Sequence, residues 1–359
     1  MLNPKSQIPN PKQIPNPNFQ NSKPKIFGHW VFGHWLLFVI WCLVLVICGC
    51  QSQNLYKNNR VMMGTFVEVI SPYKEAAGIV FSEIKRIEGL LSKYKADSEV
   101  AKLNHFGKLN VSPDTFFIMK KSKEFWQASN GAFDITVAPL VDLWGFTDKK
   151  YHLPTQQEIK NTLKLIGSDK IILHDDDNMI EFKLSGMKID LGAIAKGYAL
   201  DCAADKLRKI GVKSCLINAG GQVYALGDKR PHQRFWCGGK FGKPWKIAIK
   251  GPRGRDFTDY LELKDRSVAT SGDYEQCFIK GKTRYSHILN PKTGYPVDSG
   301  IVSVTVIASS GLTADALATA IFVLGKEKGE ELAKRFPGVE VKIIEKERCQ
   351  MKPKLTERK

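Results

Sequence analysis

The chain has 359 residues, a formal net charge of +18, 43% apolar residues and 10% aromatics. That composition excludes a disordered or low-complexity protein and predicts a globular body with a substantial core. The basic balance leaves nucleic acid, anionic lipid headgroups or an anionic small molecule as partner classes, and without an arginine-rich helix or an aromatic nucleic-acid signature the first is set aside.

Residues 1–49 read as a leader. Lys5, Lys12, Lys23 and Lys25 stand there without one acid, ahead of the apolar run Leu36–Ile47. Twelve apolar residues fit a signal h-region and fall short of the roughly twenty that span a bilayer. The run ends in Ile47-Cys48-Gly49-Cys50, which resembles a bacterial lipobox in which Cys50 takes lipid and becomes the new N-terminus. An uncleaved anchor lengthened by Val31, Phe32 and Trp35 is the alternative. Both tether the body to the cell envelope, facing the periplasm, and Gln51 leaves inner or outer membrane open. The predicted organisation is a leader over 1–49, a tether over 50–59, one body over 60–345 and a charged tail over 346–359. Cys202, Cys215, Cys237, Cys277 and Cys349 show no CxxC spacing, so neither a zinc site nor a redox motif is expected. One or two disulfides are allowed in an oxidising compartment, with no pairing readable.

Within the body, Arg60–Ile70 alternates like a strand with a bulge at Gly64. Glu75–Leu91 and Thr115–Ser129 have helical apolar spacing. Gly131–Phe146 is apolar without helical period and is expected to be a buried extended segment, in which the lone acid Asp134 either holds backbone donors or meets a ligand. Lys170–Leu191 reads as three strands, the last ending at Asp190. Gly192 opens a helix, and such a junction presents free backbone N–H groups to an anion. Ser214–Leu226 and Trp245–Lys250 read as further strands, with a long basic loop over 227–244 between them.

The polar chemistry is densest from Val268 to Thr319. His287 sits in a strand-like run after the Gly281-Lys282 turn, where a packed histidine and a titrating one are both in keeping with the pattern. Asp315 and Thr319 stand four apart on a helix and so share a face. Two hard oxygens suit Mg²⁺ or Ca²⁺, although an acid in the first turn also simply complements the helix dipole.

Segments in order along the chain resemble the ApbE family of flavin transferases: Met63-Gly64-Thr65, LLSKYKADSEVAKLN, Ala132-Phe133-Asp134, DLGAIAKGYALD, TSGDYE, RYSHILNPKTGYPV and SVTVIASSGLTADALAT. The resemblance covers about Val61 to Gly329. It implies an FAD site bordered by Met63, Tyr94, Ala132, Phe133, Asp134, Asp190, Lys196, His287 and Ile288. It also implies a Mg²⁺ held by Asp315, Thr319 and the backbone carbonyl of Ala193, with His287 and Asp315 catalytic. Gln222 stands where the family has an acid, and Asn290 where it has Asp. The implied reaction is Mg²⁺-dependent transfer of FMN from FAD to a threonine hydroxyl of a membrane or periplasmic redox protein, releasing AMP. An FAD pyrophosphatase giving FMN and AMP is the alternative enzyme, and a periplasmic FAD-binding lipoprotein the alternative without catalysis. The expected fold is α+β, with mixed or antiparallel sheets, segregated helices, and FAD between two lobes. No strand–GxGxxG–helix fingerprint occurs, which excludes a Rossmann reading.

Overall fold

The computed structural model describes residues 54–229, 242–252, 257–281 and 283–346. The leader, Cys50, Cys237, Cys349, most of the basic loop and the tail beyond 346 lie outside the described residues.

The chain lays down fourteen strands and eight α-helices in the described residues. In order these are β1 (Tyr56–Met62), β2 (Thr65–Ser71), α1 (Ala76–Leu91), α2 (Glu99–Phe106), β3 (Lys108–Asn110), α3 (Pro113–Ala128), α4 (Ala138–Leu143), α5 (Gln156–Leu163), β4 (Ile171–His174), β5 (Met179–Phe182) and α6 (Ala195–Lys209). There follow β6 (Ser214–Ala219), β7 (Gln222–Gly227), β8 (Trp245–Lys250), β9 (Phe257–Leu263), β10 (Arg266–Gly272), β11 (Cys277–Lys280), β12 (Thr283–Ser286), β13 (Ile301–Ala308), α7 (Gly311–Leu324), α8 (Lys326–Lys334) and β14 (Glu340–Glu345).

The main sheet has seven strands in the order β1-β2-β6-β7-β10-β13-β14, and every pairing is antiparallel. Its two faces follow from the period of two along each strand. Val67 and Val69 of β2, Tyr224 and Leu226 of β7, Ala269 of β10 and Val304 and Val306 of β13 join the helices in the principal core. Their neighbours Val223, Ala225, Val268 and Ile307 point the other way, onto Trp245, Ile249, Leu261 and Leu263 of the β8–β9 hairpin. Covered on both faces, β13 is buried along its whole length, Ser303 and Thr305 included. A third apolar cluster, Leu140, Trp144, Phe146, Ile159, Ile166 and Leu289, stands apart from these two.

The α+β class with antiparallel strands and segregated helices is therefore the observed one. Three local expectations are corrected. Arg60–Ile70 is not one bulged strand: Met63 and Gly64, at φ of 50° and 71°, turn the chain so that β1 pairs back on β2, with Val61 opposite Phe66. Strand β1 starts at Tyr56, within the stretch 50–59 expected as a tether. Gly131–Phe146 is not extended, because Asp134 caps a short 3-10 turn, Ile135–Val137, that runs into α4. The segment Met187–Leu191 is not a strand. Asn104 instead takes up the Ile189 backbone on both sides, accepting from its N–H at 2.7 Å and donating to its carbonyl at 2.9 Å.

Candidate active site

The centre of the site is the contact between α6 and α7. A Cβ built on Gly197 would lie 2.1 Å from the Gly311 carbonyl oxygen, so only glycine lets the helices approach this closely. Asp201, one turn along α6, accepts from Ser310 Oγ at 2.7 Å and from the Gly311 and Leu312 N–H groups at 2.6 and 2.9 Å. It satisfies amides that a helix start leaves without partners, and it locks α7 in register against α6. Gln222 adds a bond from its side-chain amide to the Gly311 carbonyl at 3.2 Å. An acid at that position has no proton to donate unless it is neutral, so Gln222 performs a different task here.

That close approach brings Asp315 to the first turn of α6. Asp315 is a buried residue, 6% exposed, and its Oδ2 accepts from the Gly197 N–H at 3.0 Å. This amide would ordinarily seek the carbonyl four residues back, that of Ala193, and its diversion leaves the Ala193 oxygen without that helical donor. Asp315 Oδ1 lies 4.0 Å from Lys196 Nζ, beyond hydrogen-bond reach. Burial raises the Asp315 carboxyl above its ordinary range, opposed by the charge of Lys196 and the Gly197 amide. Thr319, one turn further along α7, has its hydroxyl 3.3 Å from Ser271 Oγ on β10. A carboxylate, a hydroxyl and a carbonyl are the hard oxygen donors that Mg²⁺ takes, usually with substrate oxygens and water completing the shell. Among the described residues no three His, Cys, Asp or Glu side chains cluster as a metal site.

His287 approaches from the other side. Its backbone N–H and ring Nδ1 are 2.9 and 3.0 Å from the Gln276 carbonyl. A carbonyl only accepts, so Nδ1 carries the proton and Nε2 keeps the lone pair. Burial pushes the imidazole below its ordinary value, against the Gln276 bond, with Lys196 lowering it further and Asp190 raising it. The ring packs edge-on to Phe146 of the third cluster, centroids 6.5 Å apart, while the next residue, Ile288, is buried in the principal core. His287 thus stands where the two clusters meet. Glu275, adjacent to the carbonyl that holds His287, stays solvent-accessible; surrounding protein raises its carboxyl, with Lys196 opposing and Asp315 reinforcing.

Asp190 and Lys196 form one flank. Asp190 Oδ1 accepts from the Gly192 N–H at 2.8 Å, and Lys196 Nζ donates to the Gly192 carbonyl at 2.9 Å. Lys93 pairs with Asp190 Oδ2 at 2.8 Å, next to an exposed Tyr94. An open cavity of about 330 Å³ is lined here by Lys93, Tyr94, Asn104, Asp142, Thr147 and Lys188 among others. Met63 holds a left-handed conformation rare for its residue type, and its N–H is bonded by Glu88 at 2.9 Å, the same carboxylate that pairs with Lys95 beside Tyr94.

The structure therefore brings Asp315, Lys196, Asp190 and Ala193 together at the start of α6, with His287 close enough to feel the charges of Lys196 and Asp190, Thr319 one turn along α7 from Asp315, and Met63 tied through Glu88 to Lys95 beside Tyr94. Phe133 and Ala132 are core residues, 1% and 6% exposed. Asp134 holds donors: Thr136 N–H and Oγ1, at 2.9 and 2.7 Å, and Ser168 Oγ and N–H, at 2.7 and 3.2 Å. It lines a second open cavity, of about 440 Å³, beside Trp126 and Lys292. Sequence reasoning passed over Lys93, Asp201, Ser271 and Glu275. Asp201 closes the DLGAIAKGYALD segment, Ser271 and Glu275 stand in TSGDYE and Lys93 in LLSKYKADSEVAKLN, so all four lay inside quoted motifs, but nothing local to any of them announces its partner.

The chain is thus an α+β protein, an antiparallel sheet backed on one face by helices, with polar residues gathered at a helix–helix contact. The ApbE family model matches residues 63–343, and the chain belongs to that family. Among its relatives, the FAD:protein FMN transferase of Vibrio cholerae serotype O1 is 31% identical over 316 residues, covering 84% of this chain and 90% of that protein. The FAD:protein FMN transferase of Klebsiella pneumoniae is 33% identical over 305 residues, covering 83% and 92%. The crystal structure of the ApbE protein from Thermotoga maritima superposes with a TM-score of 0.73 at 36% identity, over 81% of this chain and 94% of that one. The flavin transferase ApbE from Vibrio cholerae gives 0.71 at 29% identity, over 81% and 94%.

Proposed function

We propose that this protein transfers FMN from FAD to a threonine hydroxyl of a partner protein and releases AMP, in a reaction that depends on Mg²⁺. It is a transferase of the FAD:protein FMN type, the activity by which its relatives are named. The observation that carries the reading on this chain is the Asp315–Gly197 bond, which sets a buried carboxylate, a released carbonyl and Lys196 at one point.

In the reaction the threonine oxygen bonds to the FMN-side phosphorus, the bond to the bridging oxygen breaks, and that oxygen leaves with AMP. Phosphoryl chemistry of this kind asks the protein for alignment and charge stabilisation. Asp315, Thr319 and the Ala193 carbonyl would hold Mg²⁺, which when bound offsets negative charge on the pyrophosphate. Lys196 brings a cation to the same anion. His287 Nε2, with its lone pair kept free by the Nδ1–Gln276 bond, takes the threonine proton. Met63, Tyr94 and Asp190, with the Ala132–Asp134 turn and Ile288, are the expected neighbours of FAD.

Lipid on Cys50 would hold the enzyme on the periplasmic side of the envelope, within reach of membrane redox subunits as acceptors. The soluble body, incubated with FAD, Mg²⁺ and an acceptor carrying the threonine, should place covalent flavin fluorescence on the acceptor, with one AMP per flavin attached. AMP with free FMN and an unlabelled acceptor would make it a pyrophosphatase. FAD retained without AMP would leave only a binding protein.

A further inference from the structure

Lys93 follows α1 in the turn that also carries Tyr94, and its side chain is 7% exposed. Burying an ammonium is costly unless it is paired, and Lys93 is paired several times over. Its Nζ lies 2.8 Å from Asp190 Oδ2 and 4.0 Å from Asp142 Oδ1, donates to Thr147 Oγ1 at 3.2 Å, and sits 5.2 Å from the centroid of the Tyr94 ring. Burial disfavours its charge, yet the attraction of Asp190 prevails and holds the lysine above its ordinary value. The surroundings are balanced, because Lys188 answers Asp142 at 3.2 Å, and Asp142 also accepts from Thr147 Oγ1 at 2.5 Å.

What Lys93 holds has consequences at the other end of Asp190. The opposite carboxylate oxygen takes the Gly192 N–H, and the Gly192 carbonyl takes Lys196 Nζ, which faces Asp315. One buried cation thus stands at the head of a chain of contacts running Lys93, Asp190, Gly192, Lys196. Without it, Asp190 retains the Gly192 bond and loses the partner that fixes its orientation, while the wall of the 330 Å³ cavity that Lys93 shares with Tyr94, Asp142 and Thr147 loses its central tie.

We propose that Lys93 is a positioning residue for the flavin substrate: by fixing Asp190 it fixes the Gly192–Ala193 turn and the Tyr94 wall against which FAD binds. This rests on the FAD reading above. Lys93 acts on FAD through Asp190, and the two residues form one functional unit.

The test is a fluorescence titration of FAD into the soluble body without turnover, repeated on Lys93→Met, Asp190→Asn and the double variant, with kcat measured at saturating FAD. Lys93→Met should weaken FAD binding about tenfold, the equivalent of about 1.4 kcal/mol, with kcat falling by a smaller factor. The double variant should bind no more weakly than the worse single variant, as residues in one unit do. An unchanged FAD affinity in Lys93→Met overturns the proposal, and so do losses that multiply in the double variant. Should Lys93→Met fail to fold, Lys93→Gln decides by the same two outcomes, since it removes the charge and keeps a donor toward Asp190. Failure of the unmodified protein to bind FAD would instead overturn the parent reading, a result distinct from either.

Discussion

His287 shows how one hydrogen bond assigns a role. Because its Nδ1 faces a carbonyl, the ring presents Nε2 as a base, and burial keeps the ring neutral below its ordinary value of 6.5. His287→Ala should lower transfer about 10²–10⁴-fold, the range for a general base, in a protein that melts like the unmodified one. A near-normal rate would remove His287 from the proton path. The pH profile carries a sign: a histidine whose folded value is depressed is fully basic above it, so the rate should hold as pH falls through 6.5 and drop only further down. The stability linked to this group has the same sense, present above the unfolded value and lost as pH falls. An acid limb centred above 6.5 would contradict the assignment.

Between elements, the decisive feature is the glycine contact of α6 and α7. Gly197→Ala places a methyl 2.1 Å from a backbone oxygen that cannot yield cheaply. The helices must separate, at a cost of about 1–3 kcal/mol in stability by thermal melting, and the Asp315–Gly197 bond goes with them, so activity should fall more than stability alone explains. Asp201→Ala removes three acceptor contacts at the start of α7, and should cost about 0.5–2 kcal/mol, the range for a lost cap. If this variant melted unchanged, its capping role would be refuted. Asp201 was legible as part of a motif and illegible as a cap, because it lies 109 residues from Ser310 in sequence. Local signals announce caps that sit beside their own helix, as Ser98 does for α2 and the Thr155–Glu158 box for α5.

For the molecule as a whole, periodicity located most of the large elements. Helical spacing marked α1 and α3, whereas β13 alternates Ser303 and Thr305 with apolar residues although it is buried throughout. The errors fell where turn chemistry overrode pattern. Met63 in a left-handed turn goes against its residue type, so β1 and β2 looked like one strand. Asp134 converts an apolar run into a capped turn and helix through Thr136 and Ser168, the latter distant in sequence. The Asp315–Thr319 pair was visible as an i, i+4 spacing, but neither the diverted Gly197 amide nor the released Ala193 carbonyl can be read without the helix contact. At this scale Glu83 joins α1 to α6 and, through Arg86, to α3. Burial would raise its carboxyl, but hydrogen bonds from Arg86 and Lys206 outweigh that and hold it below its ordinary value. Asp114 at the start of α3 accepts from the same arginine. Glu83→Ala should destabilise the fold by about 1–3 kcal/mol, with the native contribution lost as pH falls through the depressed value. Equal melting of variant and parent at neutral pH would show the network to be neutral.

The most direct test of Asp315 as a metal ligand compares FMN transfer to the acceptor threonine by the unmodified protein and by Asp315→Ala, at saturating FAD and across a Mg²⁺ titration. The acceptor is read by intact mass. An acceptor heavier by one FMN is expected with the unmodified protein, and no transfer with the variant at any Mg²⁺ concentration, although the variant stays folded. Transfer by Asp315→Ala near the unmodified rate would contradict the placement of the metal and the phosphoryl chemistry at the α6–α7 contact.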